Sequence, residues 1–448
     1  MKRAVWRQLA VLLIIAFALR MAAGWGWQSR LNGRFGMGDT ESYWSLGKAI
    51  AHGQPYEYGE SHAQAFRTPG YPILLAPVFW LAGDGSAAVM LARTEAALLA
   101  TLAVLAVWWL TRILFDDRAA FLAAALATFY PGAIVLGVLI LSEASFCPLM
   151  LLQLVLWILA WNAPSVGRRT LLAFGAGLVA GAATLMRPSW LLFTPFALGV
   201  GMIVALITDV RARNSRRPTA GGGDVEQIRG LLAPGYSHQQ NFVRHLPIAV
   251  CMLLGLVAAM LPWWIRNAYV TGHFVPTTLQ VGASLYDGLN PDATGASNMD
   301  FVRRYEAEQR QADGQSLGDR QESLERRLDR RMRDDAVAWA RANPGRVVQL
   351  AGVKFLRMWN VWPNEPALSS RWFVRWAVFF TYTPLLILAI IGAWRTAGRG
   401  WPYILCWLPA VYLTLLHVVF VSSIRYRDPA MLALLALAAG AGLVRRRG

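Results

Sequence analysis

Asp39 and Glu41, in Gly38-Asp39-Thr40-Glu41-Ser42-Tyr43, set two carboxylates just after the first long apolar run of a 448-residue chain that carries few charges. A carboxylate so placed can take a proton from a hydroxyl. Arg67, Arg187, Arg266 and Arg425 stand near the ends of other apolar runs, and Glu143 opens one of them. A guanidinium grips phosphate oxygens as a bidentate fork and keeps its charge when buried. Charges near membrane depth are costly unless paired or solvated, so such a set marks a functional cavity. One acidic pair facing several arginines suits an anionic lipid head group, with Asp39 as base and the arginines as a phosphate clamp.

Each residue also has a plainer role. Asp39 suits the N-cap of a helix starting near Glu41. Glu41 shares a side with Asp39 only if the segment is extended, and that is the geometry a shared divalent cation requires. Glu143 suits the first turn of a helix, where the dipole favours an acid. The four arginines suit helix ends from which they reach lipid phosphates. Asp287 and Asp292 read as turn residues. The six histidines show no metal spacing, and Cys147, Cys251 and Cys406 all lie in apolar segments.

Composition names the elements that must hold such a site. Hydrophobic residues make up 56% of the chain and charged ones 15%, and many apolar runs approach the roughly 20 residues that span a bilayer. The net charge of +17 comes in short basic tufts between apolar runs, the positive-inside pattern of a membrane protein rather than a nucleic-acid-binding surface. The run from Trp6 to Trp27 follows Lys2 and Arg3 but is long for a signal-peptide core and has no clear cleavage site, so it reads as a retained helix.

Taken in order, the predicted spans are 5–27, 86–113, 119–139, 144–162, 170–186, 189–208, 246–265, 373–394, 401–421 and 429–444. The fold class is therefore all-α and polytopic, with about ten transmembrane helices and interfacial helices on the outer side. A short helix is expected over 41–51, and 72–81 is apolar but too brief to span. The basic tufts put both termini in the cytoplasm and the 28–68 loop outside, while Arg211 to Arg244 forms a Gly-containing cytoplasmic linker. Three regions result: a transmembrane module over 1–267 with its acidic first loop, a large outer region over 268–370, and C-terminal helices over 371–448. Within the outer region Leu317, Leu324, Leu328 and Met332 fall at helical spacing, and 346–362 reads as an interfacial amphipathic helix. By this topology Asp39, Glu41, Arg67, Glu143, Arg187, Arg266 and Arg425 all reach the same boundary.

The chemistry such a set serves best is transfer from a phosphorylated lipid. A sugar on a polyprenyl phosphate leaves as an ionised phosphate, so the leaving group needs cations rather than a general acid. Glycoside hydrolases need two carboxylates because an alkoxide leaves. Here one carboxylate suffices.

In order, Gly38-Asp39-Thr40-Glu41-Ser42-Tyr43, Arg67-Thr68-Pro69-Gly70-Tyr71-Pro72, Ser142-Glu143, Arg187-Pro188, Pro262-Trp263-Trp264-Ile265-Arg266-Asn267, Asn290-Pro291 and Arg425-Tyr426-Arg427 resemble bacterial GT-C fold glycosyltransferases. The likeness is to the branch that includes protein mannosyltransferases and the aminoarabinose transferase of lipid A. It implies inverting transfer from a polyprenyl-phosphate sugar at the periplasmic face of the inner membrane, to a lipid, glycan or protein acceptor. By position, Asp39 matches the family's first-loop base, Arg67 its basic residue before Pro that meets the donor phosphate, and Arg266 its phosphate-side residue before the large loop. Glu41, Tyr43, Tyr71, Glu143, Arg187, Asn290 and Arg425 complete the expected substrate-binding set. Thr40 separates first-loop acids that are adjacent in protein mannosyltransferases, and the long soluble insertion of eukaryotic members is missing. Two rivals share a head-group site: a lipid-linked saccharide flippase, for which an internal repeat is expected and none is visible, and an O-antigen polymerase or ligase, which needs no early loop acid.

Overall fold

A computed structural model describes residues 2–31, 35, 38–59, 61–215, 240–315, 322–364 and 370–442. The linker around Gly221-Gly222-Gly223, together with Leu317 and Arg445-Arg446-Arg447, falls outside the described residues. Among the described residues the structure is helical, with a single antiparallel bridge between Tyr58 and Ala63. The helices are α1 Lys2–Gln28, α2 Gly38–Ala51, α3 Gly70–Ala82, α4 Ser86–Leu114, α5 Asp117–Phe129, α6 Pro131–Leu136, α7 Glu143–Trp161, α8 Val166–Met186 and α9 Phe193–Ser215. They continue with α10 Gln240–Thr271, α11 Val281–Gly288, α12 Phe301–Gln315, α13 Leu324–Ala342, α14 Pro344–Met358, α15 Trp372–Thr396, α16 Trp401–Val419 and α17 Asp428–Gly440.

Eight of the described helices are long and apolar enough to cross a membrane. Two expected spans differ. The run 119–139 breaks at Tyr130, whose extended backbone separates α5 from α6; Pro131 forces this, because the residue before a proline is driven out of the helical region. The last expected span is the 13-residue α17, about 20 Å long. It is not a lipid-facing helix, since every residue from Asp428 to Gly440 is buried. Around it Leu405, Leu408, Leu154, Trp157 and Val107 build one continuous core.

The hydrophilic region after α10 stands on polar contacts. α12 and α13 run antiparallel, joined by Tyr305 Oη donating to Asp335 (2.7 Å) and by the pairs Arg331–Glu308 (2.6 Å) and Arg327–Asp313 (2.6 Å). Leu328 and Met332 pack with Ala283 and Tyr305 beneath them, the apolar stripe read from the sequence. On α14 the buried Leu350, Lys354 and Met358 share one face at four-residue spacing. The Lys354 ammonium donates to the carbonyls of Gly288 (2.9 Å) and Val419 (2.7 Å), fastening the hydrophilic region to the end of α16. Burial lowers the Lys354 pKa to about 8.

Candidate active site

At one end of the bundle five charged side chains from distant parts of the chain alternate in sign. Arg67 Nη2 lies 2.9 Å from Asp39 Oδ1, and Arg425 Nη2 lies 3.3 Å from Asp39 Oδ2. The Nε of Arg425 lies 3.1 Å from Glu143 Oε1, which also meets Arg187 Nη1 at 2.8 Å. Three guanidinium groups against two carboxylates leave the cluster with one net positive charge. Burial is graded along it: the Asp39 side chain is 44% accessible, the arginines 14–17% and Glu143 3%.

Local structure explains each placement. Asp39 sits in the first turn of α2, where the helix dipole stabilises a carboxylate. Ser42, one turn on, accepts from Arg67 Nε at 3.0 Å, so α2 contributes two groups to one guanidinium. Arg67 also lies over the rings of Tyr43 (5.0 Å) and Phe66 (4.9 Å). Three residues after it, Gly70 packs so closely on α8 that a β-carbon there would stand 2.6 Å from the Leu185 carbonyl. That contact brings the Arg67 segment against the helix that ends at Arg187. Glu143 opens α7 after the buried irregular segment 137–142, one of whose carbonyls, Val138 O, accepts from Arg93 at 2.6 Å. Arg425 and Arg187 flank the ring of Tyr426 at 5.1 and 5.2 Å, and that ring stacks on His417 at 4.2 Å.

Burial pushes the Asp39 carboxyl up, but Arg67 and Arg425 outweigh it and hold the group below its ordinary range. It is ionised at neutral pH, with both oxygens occupied by guanidinium groups.

Five of the expected site residues, Asp39, Arg67, Glu143, Arg187 and Arg425, thus meet in one cluster, and two more lie beneath it. Tyr43 is buried, with its hydroxyl 3.4 Å from Ser142 Oγ. Tyr71 packs edge-on against Tyr43 and is 1% exposed. Arg266 and Asn290 are elsewhere. Arg266 donates to the carbonyls of Gln64 (2.5 Å) and Tyr56 (3.3 Å) and lies over Tyr56 and Trp263; it braces the first loop and makes no ion pair with the cluster. Asn290 donates to Tyr286 O (2.7 Å) and accepts from the Asp292 amide (2.7 Å), closing its own turn. Asp287 is likewise used internally, accepting from Ser297 and the Asn298 amide. Glu41 is exposed. Because α2 starts at Gly38, Asp39 and Glu41 are two apart on a helix and project to different sides, so the extended geometry that a shared cation requires is not met. Among the described residues no three His, Cys, Asp or Glu side chains are grouped to hold a metal ion.

Ser42, Ser142 and Tyr426 were not singled out from the sequence, although each lies inside a motif that was. The signal for Ser42 was its spacing of three from Asp39, which puts both on one helix face. Tyr426 is flanked by Arg425 and Arg427, which face opposite ways. Arg427 is 2% exposed, donates to Met358 O and Asn360 O, and lies 3.5 Å over the Tyr382 ring.

Residues 66–221 match the family model described as dolichyl-phosphate-mannose-protein mannosyltransferase; Arg67, Glu143 and Arg187 lie inside that stretch, Asp39 and Arg425 outside it. No protein of curated function matches the chain. Among solved structures, the archaeal oligosaccharyltransferase AglB from Archaeoglobus fulgidus, in complex with an inhibitory peptide and a dolichol-phosphate, superposes with a TM-score of 0.53 at 16% identity, covering 99% of this chain and 50% of its own. The apo oligosaccharyltransferase of that organism gives 0.52 at 16% identity, over 97% and 50%. ArnT from Cupriavidus metallidurans bound to undecaprenyl phosphate gives 0.40 at 16% identity, over 99% and 78%. The chain spans about half the length of the archaeal proteins. It is a multi-pass membrane protein of the GT-C fold, related through residues 66–221 to the dolichyl-phosphate-mannose-protein mannosyltransferases.

Proposed function

We propose that this chain is an inverting glycosyltransferase that moves a sugar from a polyprenyl-phosphate donor to an acceptor hydroxyl. Its place would be the periplasmic face of a bacterial inner membrane, with the termini inside and a lipid, glycan or protein as acceptor. The observation that carries the reading is the bracketing of one accessible carboxylate, Asp39, by two guanidinium groups that are themselves anchored at depth. The family description of residues 66–221 and the dolichol-phosphate in the archaeal complex support the donor class.

In this mechanism the donor phosphate competes with Asp39 for the N–H groups of Arg67 and Arg425. As they turn to the phosphate, an Asp39 oxygen is released and its basicity rises, because the cations that depressed it now serve another anion. Asp39 then takes the acceptor hydroxyl proton while the acceptor oxygen attacks the anomeric carbon. The bond from that carbon to the phosphate oxygen breaks on the opposite face, and its electron pair stays on the phosphate. Once turned to the phosphate, the arginines are already in place for the charge that develops as the bond breaks. Glu143 and Arg187 keep Arg425 in place.

The test uses purified protein in lipid nanodiscs with a panel of polyprenyl-phosphate sugars. Sugar should appear on the acceptor with inverted anomeric configuration as polyprenyl phosphate is released. Asp39→Asn should lose turnover and keep donor binding. Turnover that survives in that variant, or movement of intact lipid-linked saccharide across the bilayer without bond exchange, would overturn the reading.

A further inference from the structure

The peptide joining Gln64 to Ala65, two residues before Arg67, is held from three directions. Glu325, in the first turn of α13, accepts from the Gln64 amide at 3.0 Å through Oε2 and from the Ala65 amide at 3.1 and 3.2 Å through both oxygens. The Gln64 carbonyl accepts from Arg266 at 2.5 Å, and the Ala65 carbonyl accepts from the Leu279 amide at 2.9 Å. Both N–H groups and both carbonyls of this short stretch are therefore taken, by residues of α10, α13 and the segment between them. Ala65 is fully buried and Glu325 is 9% exposed, so the contact is largely withdrawn from solvent.

An acid in the first turn of a helix is ordinarily explained by that helix's own dipole. Glu325 does more: Ser323 already caps α13 by accepting from the Arg326 amide, and both Glu325 oxygens reach a segment 260 residues away. A buried carboxylate engaged by backbone donors fixes where those donors can be.

We propose that Glu325 is a positioning residue, through which the outer region sets the placement of Arg67 and so of Asp39. It touches neither charge in the cluster. Its effect passes along residues 65–67, whose far end is fixed by the contact of Gly70 with α8. For its catalytic readout this inference rests on the glycosyl-transfer reading; for its structural readout it does not.

Spin labels at His62→Cys and Asp334→Cys, in a Cys251→Ser background of the full chain, report the distance between the loop and α13. The parent should give one narrow distance distribution. Glu325→Ala should broaden it and lower kcat/KM for the donor by roughly tenfold or more, as expected when a binding group is misplaced by a fraction of an ångström. Glu325→Gln should restore both, because one amide oxygen can stand where Oε2 now accepts from both N–H groups. A purely structural role would not be rescued in rate and distance together. If Glu325→Ala does not fold, Glu325→Asp, a methylene too short, serves in its place. An unchanged distribution and rate in the short variant, or a Gln variant as impaired as Ala, would overturn the proposal. If the parent transfers no sugar from any donor, the functional reading fails, and the distance measurement alone still decides the role of Glu325.

Discussion

Asp39 and Arg425 stand 386 residues apart in the chain, and their carboxylate and guanidinium meet at 3.3 Å. Arg425 meets Glu143 through its Nε, so one guanidinium joins an accessible carboxylate to a buried one. Only the Asp39 end is open enough for a ligand to enter, with 44% accessibility against 3% for Glu143. In the proposed mechanism this asymmetry gives Asp39 the reactive role and Glu143 an anchoring one, a division that the two carboxylates do not reveal from sequence alone.

Replacing Asp39 by Asn keeps size and the ability to accept a hydrogen bond while removing the proposed base. Transfer should fall by about 10²–10⁴-fold, the usual contribution of general base catalysis, with no loss of thermal stability large enough to unfold the protein. Radiolabelled sugar transfer, read beside a melting curve in detergent, checks both. Because Arg67 and Arg425 depress the Asp39 pKa in the resting site, the carboxylate stays ionised down to the acid end of the ordinary range. Its own stabilising contribution is present above the unfolded value of about 3.9 and is lost only as pH falls through the lower folded value.

Arg67→Lys preserves charge but not the fork. The Nε bond to Ser42, the Nη2 bond to Asp39 and the stacking on Tyr43 and Phe66 cannot all be kept by a single ammonium. Donor KM should rise about tenfold, the equivalent of one charge-assisted hydrogen bond. Arg266→Lys should raise donor KM by less than Arg67→Lys does, because Arg266 acts on the donor only through the loop carbonyls of Gln64 and Tyr56. Equal effects in the two variants would contradict this assignment.

Glu325 provides a pH test of the hydrophilic region that contains α13. Burial raises its pKa to about 7, against the backbone donors of Ala65 and Gln64 and the charge of Arg266, from an ordinary 4.5. A raised acid favours the folded state below the unfolded pKa, and that contribution disappears as pH climbs through the folded value. Glu325→Gln cannot titrate. The stability difference between variant and parent should therefore move in favour of the variant between pH 4.5 and 8, by on the order of 3 kcal/mol. Chemical or thermal unfolding in detergent at several pH values measures it, and a flat difference would refute the shift.

The bundle and five of the charged site residues were legible because an apolar chain advertises its few charges: Asp39, Arg67, Glu143, Arg187 and Arg425 could not be left unpaired at membrane depth. Topology then put them at one end. What stayed hidden depends on how neighbouring residues turn. Arg266 carries the same signature as Arg187, yet Arg187 meets a carboxylate and Arg266 meets carbonyls. Glu325 is one acid in a dense run of mixed charge, where spacing gives no reason to prefer it. The two spans that differ have separate causes: Pro131 interrupts 119–139, and the last one is a matter of what surrounds it. Hydropathy reports that a segment avoids water, and α17 avoids it by sitting inside protein rather than lipid.

Glu143→Gln tests the buried end of the network. Arg187 has Glu143 as its ion-pair partner among the described residues, at 2.8 Å, and both side chains are largely withdrawn from water. Removing the carboxylate strands a guanidinium in a low-dielectric site, a change that costs about 3–5 kcal/mol when one member of a buried pair is lost. Arg425 would also lose its inner anchor and turn fully toward Asp39, lowering the pKa of that carboxylate further. The variant should melt earlier than the parent and show a reduced kcat and a raised donor KM, because Arg425 is drawn to Asp39 and only Arg67 still faces the donor phosphate. The double variant Glu143→Gln with Arg187→Met, which removes both buried charges, should recover most of the lost stability but not the lost kcat. Recovery of neither would mean that the pair does not act as a unit.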